Sequence, residues 1–364
     1  MKRKIYTLLL VFCLLLPEGA ESQEASVNFG YKHSKIKYAG RIDYSSKESA
    51  DLLWSGSSIK FNFTGESVAT LMHDHNDKNY YNLILDEDSI IIFNPGAEKK
   101  YYTLVEDLSP GEHSLEIFKR TEWGAGKTSF YEFIIQGKRV KLLKAPKVQK
   151  RKIEFYGNSI TAGYGNEDME ADRPDSTFTN NYKSYAAITA RHFNAEYSCI
   201  AKGGIGIMLS WFDFIMPQLY DRFSPLEDAQ QWNFKQYKPQ VVVINLFQND
   251  SWLVNKPERK EFKDVFGDTP PDERFIIEAY KAFVSQVRGK YPKANIICAL
   301  GSMDATKVGA PWPGYVQSAV DELNDEQLHT LFFPYKETPG HPKVHEHEVM
   351  ANQLIRFIDE NIKW

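Results

Sequence analysis

At 364 residues the chain exceeds the roughly 100–200 residues of an ordinary domain, so two domains are expected. Its 42% hydrophobic and 25% charged fractions are those of a folded globular chain, and the 14% aromatic content suits well-filled β cores or sugar-stacking surfaces. A formal net charge of −4 offers none of the basic surface that phosphate neutralisation requires, which sets nucleic-acid partners aside.

The first residues read as an address. Lys2, Arg3 and Lys4 precede an apolar run from Leu8 to Leu16, which ends at Pro17 before the small residues Gly19, Ala20 and Ser22. That pattern predicts a secretory signal over residues 1–22 and an exported protein, periplasmic or extracellular. The run is shorter than the ~20 residues of a bilayer span, and no later segment supplies one. Cys13 falls within the signal. Cys199 and Cys298 lie in apolar, strand-like runs, so two buried thiols are expected in place of a disulfide.

From residue 26 to residue 146 the chain alternates with period two between turn residues. Ile59, Phe61 and Phe63 alternate with polar neighbours, residues 80–96 read as two strands about an acidic turn, and residues 108–120 and 129–140 add further strands. Short strands, frequent turns and no helical spacing predict a β-sandwich of the jelly-roll kind. The basic stretch from Lys144 to Lys152 reads as a surface connection.

The rhythm then changes. A short strand begins at Lys152, residues 181–193 have helical spacing, and strands are expected near residues 197–200, 240–246, 294–300 and 329–333. Amphipathic stretches cover residues 272–290, 314–328 and 344–362. Strands alternating with helices over residues 152–364 predict a three-layer α/β/α domain with a parallel sheet, whose ligands bind at the carboxyl ends of the strands.

Ser159 follows the first of these strands in "YGNSITAGYG". It is either the cap of the helix that follows or a nucleophile. The second role needs a base and oxyanion donors at later strand ends. Candidates stand there in order: the glycines of "AKGGIGIM" after the second strand, Asn249 in "FQND" after the third, and His341 in "TPGHPKVHEHEVMA" after the last. Each is weak alone, and four at successive strand-to-helix junctions are hard to assign to chance.

These blocks resemble those of the SGNH (GDSL-type) hydrolases. With "YAGRID", "WSGSSIKFNFTG", "YYNLILD" and "FKRTEW", the resemblance narrows to carbohydrate esterase family 2, in which a jelly roll precedes the hydrolase domain. It implies deacetylation of plant-type polysaccharides or oligosaccharides without metal or organic cofactor. Carried over by motif, Ser159 is the nucleophile and His341 the base. The oxyanion hole is formed by the Ser159 and Gly204 amides and the Asn249 side chain, with Gly203 and Gly206 as register alternatives.

Three positions depart from the family pattern. Asn158 replaces the Asp before the serine. Phe247 replaces the glycine that opens the third block, and its bulk is expected to narrow the acyl pocket. Thr338 and Pro339 stand where the base-orienting Asp is usual, so the resemblance implies a Ser–His dyad held by a backbone carbonyl, with Glu337 as the alternative. Trp252 and Trp312 are candidates for stacking on sugar, with loop packing as the alternative for both, while Trp211 reads as core. The spacing of His341, His345 and His347 admits a zinc site, but His345 and His347 point apart on a helix and no HExxH is present. Two other functions remain open at this level: a glycan-binding relative without chemistry, or an esterase of lipid or other short-chain acyl groups.

Overall fold

The computed structural model describes residues 25–224 and 230–364; the expected signal over residues 1–22 lies outside them. The first domain holds β1 (Ala25–Gly30), β2 (Lys37–Ala39), β3 (Ala50–Leu52), β4 (Ser58–Thr64), β5 (Ser67–Asp74), β6 (Tyr81–Leu85), β7 (Ser89–Phe93), β8 (Lys100–Val105), β9 (Glu112–Lys119), β10 (Thr128–Gly137) and β11 (Lys141–Leu142). They form two antiparallel sheets. One has the order β1-β10-β5-β8 with β3 beside β10, and the other β11-β4-β9-β6-β7 with β2 beside β4. The alternation read from the sequence puts Ile59, Phe61 and Phe63 into the core between the sheets, where Phe61 packs on Phe133 with ring centroids 4.2 Å apart.

The second domain runs through β12 (Lys152–Gly157), α1 (Ser159–Ala162), α2 (Tyr185–His192), β13 (Glu196–Ala201), α3 (Met216–Leu219), β14 (Val241–Asn245), α4 (Gln248–Leu253), α5 (Lys260–Phe266), α6 (Glu273–Lys290), β15 (Asn295–Leu300), α7 (Trp312–Leu323), β16 (Leu328–Phe332) and α8 (Val344–Asn361). The five strands are parallel in the order β13-β12-β14-β15-β16. Helices α2 and α8 cover one face and α6 and α7 the other, so the strands are buried on both sides and read as continuous apolar runs. α6 begins where Asp272 accepts the Phe275 N–H, and its buried Ile276, Ile277, Tyr280, Phe283, Val284 and Val287 recur at helical spacing. Cys199 and Cys298 are buried free thiols. Among the described residues no helix is long and apolar enough to cross a membrane.

The domains meet through charge. Arg41 of the sandwich donates to Glu154 of β12 at 2.7 Å, with both side chains fully buried, and to the Tyr220 and Arg222 carbonyls. Tyr156 and Tyr291 hydroxyls satisfy the same carboxylate at 2.7 and 2.6 Å. Arg120, just after β9, bonds to Glu167 and to the Thr177 carbonyl, holding the segment that follows α1.

Candidate active site

The strand order reverses around β12, which pairs with both β13 and β14, so Gly157 is level with Ala201 on one side and Asn245 on the other. That is the switch point where a crevice opens at the carboxyl edge of the sheet, and Ser159 stands there. The helix-cap question is settled by its neighbour. Asn158 has extended backbone and its Oδ1 accepts the Ile160 N–H at 3.0 Å, so the Ser159 hydroxyl is free for another partner.

That partner is His341, whose Nε2 lies 2.8 Å from Ser159 Oγ. Its Nδ1 lies 2.6 Å from Asp172 Oδ2, and its backbone N–H donates to Asp172 Oδ1 at 3.2 Å. The group that meets His341 Nδ1 is therefore a carboxylate from the loop after α1, not a backbone carbonyl and not Glu337, which is exposed. This corrects the expected dyad. Burial raises the Asp172 carboxyl, but its hydrogen bond and charge interaction with His341 outweigh that and hold it below the usual carboxylate value. The Tyr164 ring packs edge-on against the imidazole at 4.9 Å. The histidine loop is itself tied down, because Glu346 accepts the Lys343 N–H at 2.7 Å and the Thr338 hydroxyl at 2.6 Å.

The three glycines of the second block separate by what their N–H groups do. Gly203 donates to Glu122 at 2.7 Å and Gly206 to Ser210 Oγ at 3.0 Å. Among the described residues the Gly204 N–H meets no acceptor. Asn249 donates one amide hydrogen to the Ile205 carbonyl at 2.8 Å and accepts Trp211 Nε1–H at 3.0 Å. The amide is thereby fixed against the glycine loop with its second hydrogen unspent. Asp250, beside it, accepts the N–H groups of Ile207, Met208 and Leu209 at 3.0, 2.6 and 3.0 Å, and burial pushes its carboxyl up to about 6 against those donors. Ser159, Gly204 and Asn249 thus offer N–H donors on adjoining strand ends, an arrangement suited to a developing oxyanion.

The aromatic assignments change. Trp312 is 6% exposed and packs edge-on against Phe247 at 5.1 Å, so it belongs to the core and not to a sugar surface. Trp211, read as core, packs against it partly buried, and in addition donates Nε1–H to Asn249 and carries the Arg259 guanidinium 4.7 Å above its ring. Trp252 keeps partial exposure, with Nε1 donating to Asp304 at 2.8 Å. Phe247 holds φ at 81°, a left-handed backbone that favours glycine. Its ring points into the core against Tyr280 at 4.8 Å, so the expected narrowing of an acyl pocket does not follow. His347 is buried and accepts the Tyr185 N–H on Nδ1, while His345 is exposed, so His341, His345 and His347 do not converge.

Comparison with known proteins decides the family. A model described as carbohydrate esterase 2 N-terminal matches residues 38–146, and one described as GDSL-like lipase/acylhydrolase matches residues 155–330. The structure of a family two carbohydrate esterase from Clostridium thermocellum in complex with cellohexaose is 34% identical, superposes with a TM-score of 0.78, and is covered over 98% of its chain by 89% of this one. The chain belongs to carbohydrate esterase family 2. Within that family it is 34% identical over 345 residues to the cellulase/esterase CelE of Acetivibrio thermocellus, matching 90% of this chain but only 40% of that protein's length. It is also 28% identical over 321 residues to an acetylxylan esterase / glucomannan deacetylase of Cellvibrio japonicus, over 84% of each. The sandwich followed by a five-stranded parallel sheet is the architecture of family 2.

Three residues of this family 2 site escaped the sequence reading. Asp172 stands in an acid-rich stretch, 168–175, where nothing in the local pattern separates it from Asp168, Glu170 or Asp175. Asp250 adjoins a residue that was singled out. Glu122, in "FKRTEW", belongs to a motif noted only as part of the sandwich.

Proposed function

We propose that this chain is an exported serine esterase that removes O-acetyl groups from plant-type polysaccharides or oligosaccharides. The observation that carries the reading is the relay Ser159 Oγ to His341 Nε2 at 2.8 Å and His341 Nδ1 to Asp172 at 2.6 Å, at a site with unspent amide donors. The named activities of the Cellvibrio relative and the cellohexaose bound to the Clostridium relative support a glycan substrate.

In the proposed mechanism Ser159 Oγ attacks the acetyl carbonyl carbon as its proton passes to His341 Nε2. Asp172 keeps the Nδ1 proton in place and faces the imidazolium that forms. The oxyanion takes hydrogen bonds from the Ser159 and Gly204 amides and the Asn249 side chain. Collapse breaks the bond to the sugar oxygen, which takes the proton from Nε2 and leaves as a hydroxyl, and an acetyl ester remains on Ser159. Water then attacks that ester as His341 takes its proton, and collapse returns the proton to Ser159 Oγ and releases acetate. No step calls for a metal or organic cofactor.

Against a glycan-binding relative without chemistry stand the Asp172 carboxylate at His341 Nδ1 and the Phe247 ring turned toward the core. The test is acetate release from acetylated xylan, mannan and pectin, with 4-nitrophenyl esters of increasing acyl length beside them. Ser159→Ala and His341→Ala are each expected to abolish turnover while melting as the parent does. Full activity in either variant, or a preference for long acyl chains, would reject the reading.

A further inference from the structure

We infer that Glu122, on the β-sandwich, is a positioning residue for the oxyanion loop of the α/β domain. The inference rests on the esterase reading above and gives the sandwich a part in it.

Glu122 Oε2 accepts the Gly203 N–H at 2.7 Å across the domain boundary. The contact uses the room a side chain would fill, since a Cβ on Gly203 would lie 3.1 Å from Oε2 and 3.3 Å from Oε1. The next peptide carries the Gly204 N–H, and the Gly204 carbonyl accepts the Trp211 N–H at 3.0 Å. Gly204 is therefore pinned from both sides, by the sandwich before it and by its own domain after it. It needs that restraint, because two successive glycines have the widest backbone freedom and Gly204 is held at φ 82°. Without Glu122 the Gly203 N–H loses its protein acceptor and the Gly204 N–H its fixed direction.

The loop that presents Glu122 is braced from within the sandwich. Buried Lys119 donates to the Thr121 carbonyl, the Thr121 hydroxyl and the Glu122 carbonyl at 3.1, 3.2 and 3.2 Å. The Thr121 hydroxyl donates to Asn79 at 2.8 Å, and Asn79 is held by Asp74 through its backbone and side-chain N–H groups at 2.8 and 2.6 Å. A fully satisfied buried network of this kind fixes one geometry. The Lys202 ammonium, 4.4 Å above the Trp123 ring and 3.6 Å above Phe212, also interacts with Glu122 through charge.

The experiment compares Glu122→Ala and Glu122→Gln with the parent. Glutamine keeps an oxygen acceptor for Gly203 and alanine does not. Glu122→Ala is expected to lower kcat about 10- to 100-fold with KM within about threefold, as a misaligned oxyanion donor would, and Glu122→Gln to recover most of that loss. Hydrogen exchange of the amides of residues 203–206, read on the same proteins, is expected to speed up in Glu122→Ala alone. Parental kcat in Glu122→Ala, equal losses in both variants, or unchanged exchange overturns the assignment. A parent that releases no acetate overturns the esterase reading, and the exchange measurement, which needs no turnover, still decides whether Glu122 holds the loop.

Discussion

Gly340 and Asp172 pack so closely that a Cβ on the glycine would lie 2.7 Å from the aspartate Cγ, and φ at Gly340 is 72°. The residue before the base is thus a place where backbone must take the room of a side chain so that a carboxylate 168 positions earlier can reach the imidazole. Gly340→Ala adds a clash with Asp172 to a left-handed conformation that costs an L-residue about 1–2 kcal/mol. We expect kcat to fall by about 10- to 100-fold, since a displacement near 1 Å at a catalytic group has that scale. Steady-state kinetics beside a thermal melt test it, and parental kcat would contradict it.

Replacing the carboxylate by an amide separates the two candidates for the orienting group. Asp172→Asn keeps the shape but can present an N–H to Nδ1 and select the wrong tautomer, which in a serine triad costs up to about 10⁴-fold in kcat. Asp172 is 30% exposed, so a loss between about 10²- and 10⁴-fold is expected, with Glu337→Gln at the parental rate. Because Asp172 is held below its ordinary value, its ionic contribution is complete above that ordinary value and disappears only as the pH falls through the lower folded one. The opposite ranking of the two variants would return the role to Glu337.

Trp211→Phe removes the Nε1–H that fixes Asn249 Oδ1 while keeping a ring under Arg259. Loss of a whole oxyanion donor costs about 10²–10³-fold, so loss of its orientation alone is expected to cost about tenfold in kcat, with KM nearly unchanged. If sugar stacking were the role of Trp211, KM for polysaccharide would rise and kcat on 4-nitrophenyl acetate would stay parental.

His347 predicts a pH dependence of stability. Burial lowers its folded value to about 3 from 6.5. Between those limits the unfolded chain binds a proton that the folded chain refuses, so stability falls as the pH drops, approaching about 1.4 kcal/mol per pH unit for this group. His347→Asn keeps an acceptor for the Tyr185 N–H without the titration. Urea melts at about pH 5.5 and about pH 4 are expected to show a shallower loss in the variant than in the parent; equal slopes would mean that His347 carries none of the acid sensitivity.

What the sequence made legible was the periodic and the local. Alternation located the sandwich strands, short apolar runs located β12 and β15 and a continuous β-branched run β14, and the α6 helix runs from a cap at Asp272 to Lys290 as its spacing implied. Ser159, Gly204, Asn249 and His341 became candidates because each lies in a segment that follows a strand. Asp172 was not, because a loop without periodicity carries no sign of which carboxylate turns inward or of which histidine, 169 positions on, it will meet. Trp312 could not be placed for a related reason: position at a junction tells that a side chain is near the catalytic edge, not whether it faces the crevice or the helices beneath, and Trp312 takes the packing alternative. Phe247 was read from its size, and its direction follows from a backbone angle that the sequence does not display.

The seam between the domains follows a change of rhythm in the sequence, yet it does not divide the molecule into independent parts. Arg41 and Glu154, one from each domain, pair with both side chains fully buried, and a carboxylate stripped of its guanidinium in such a setting destabilises by about 3–5 kcal/mol. A fragment starting at Lys152 would carry Glu154 without its guanidinium, would leave Glu167 with Lys183 alone, and would lack the loop that grips Gly203. Dissection at the visible boundary therefore removes material that the catalytic half needs in order to be itself, and the smallest autonomous unit of this esterase is both halves together.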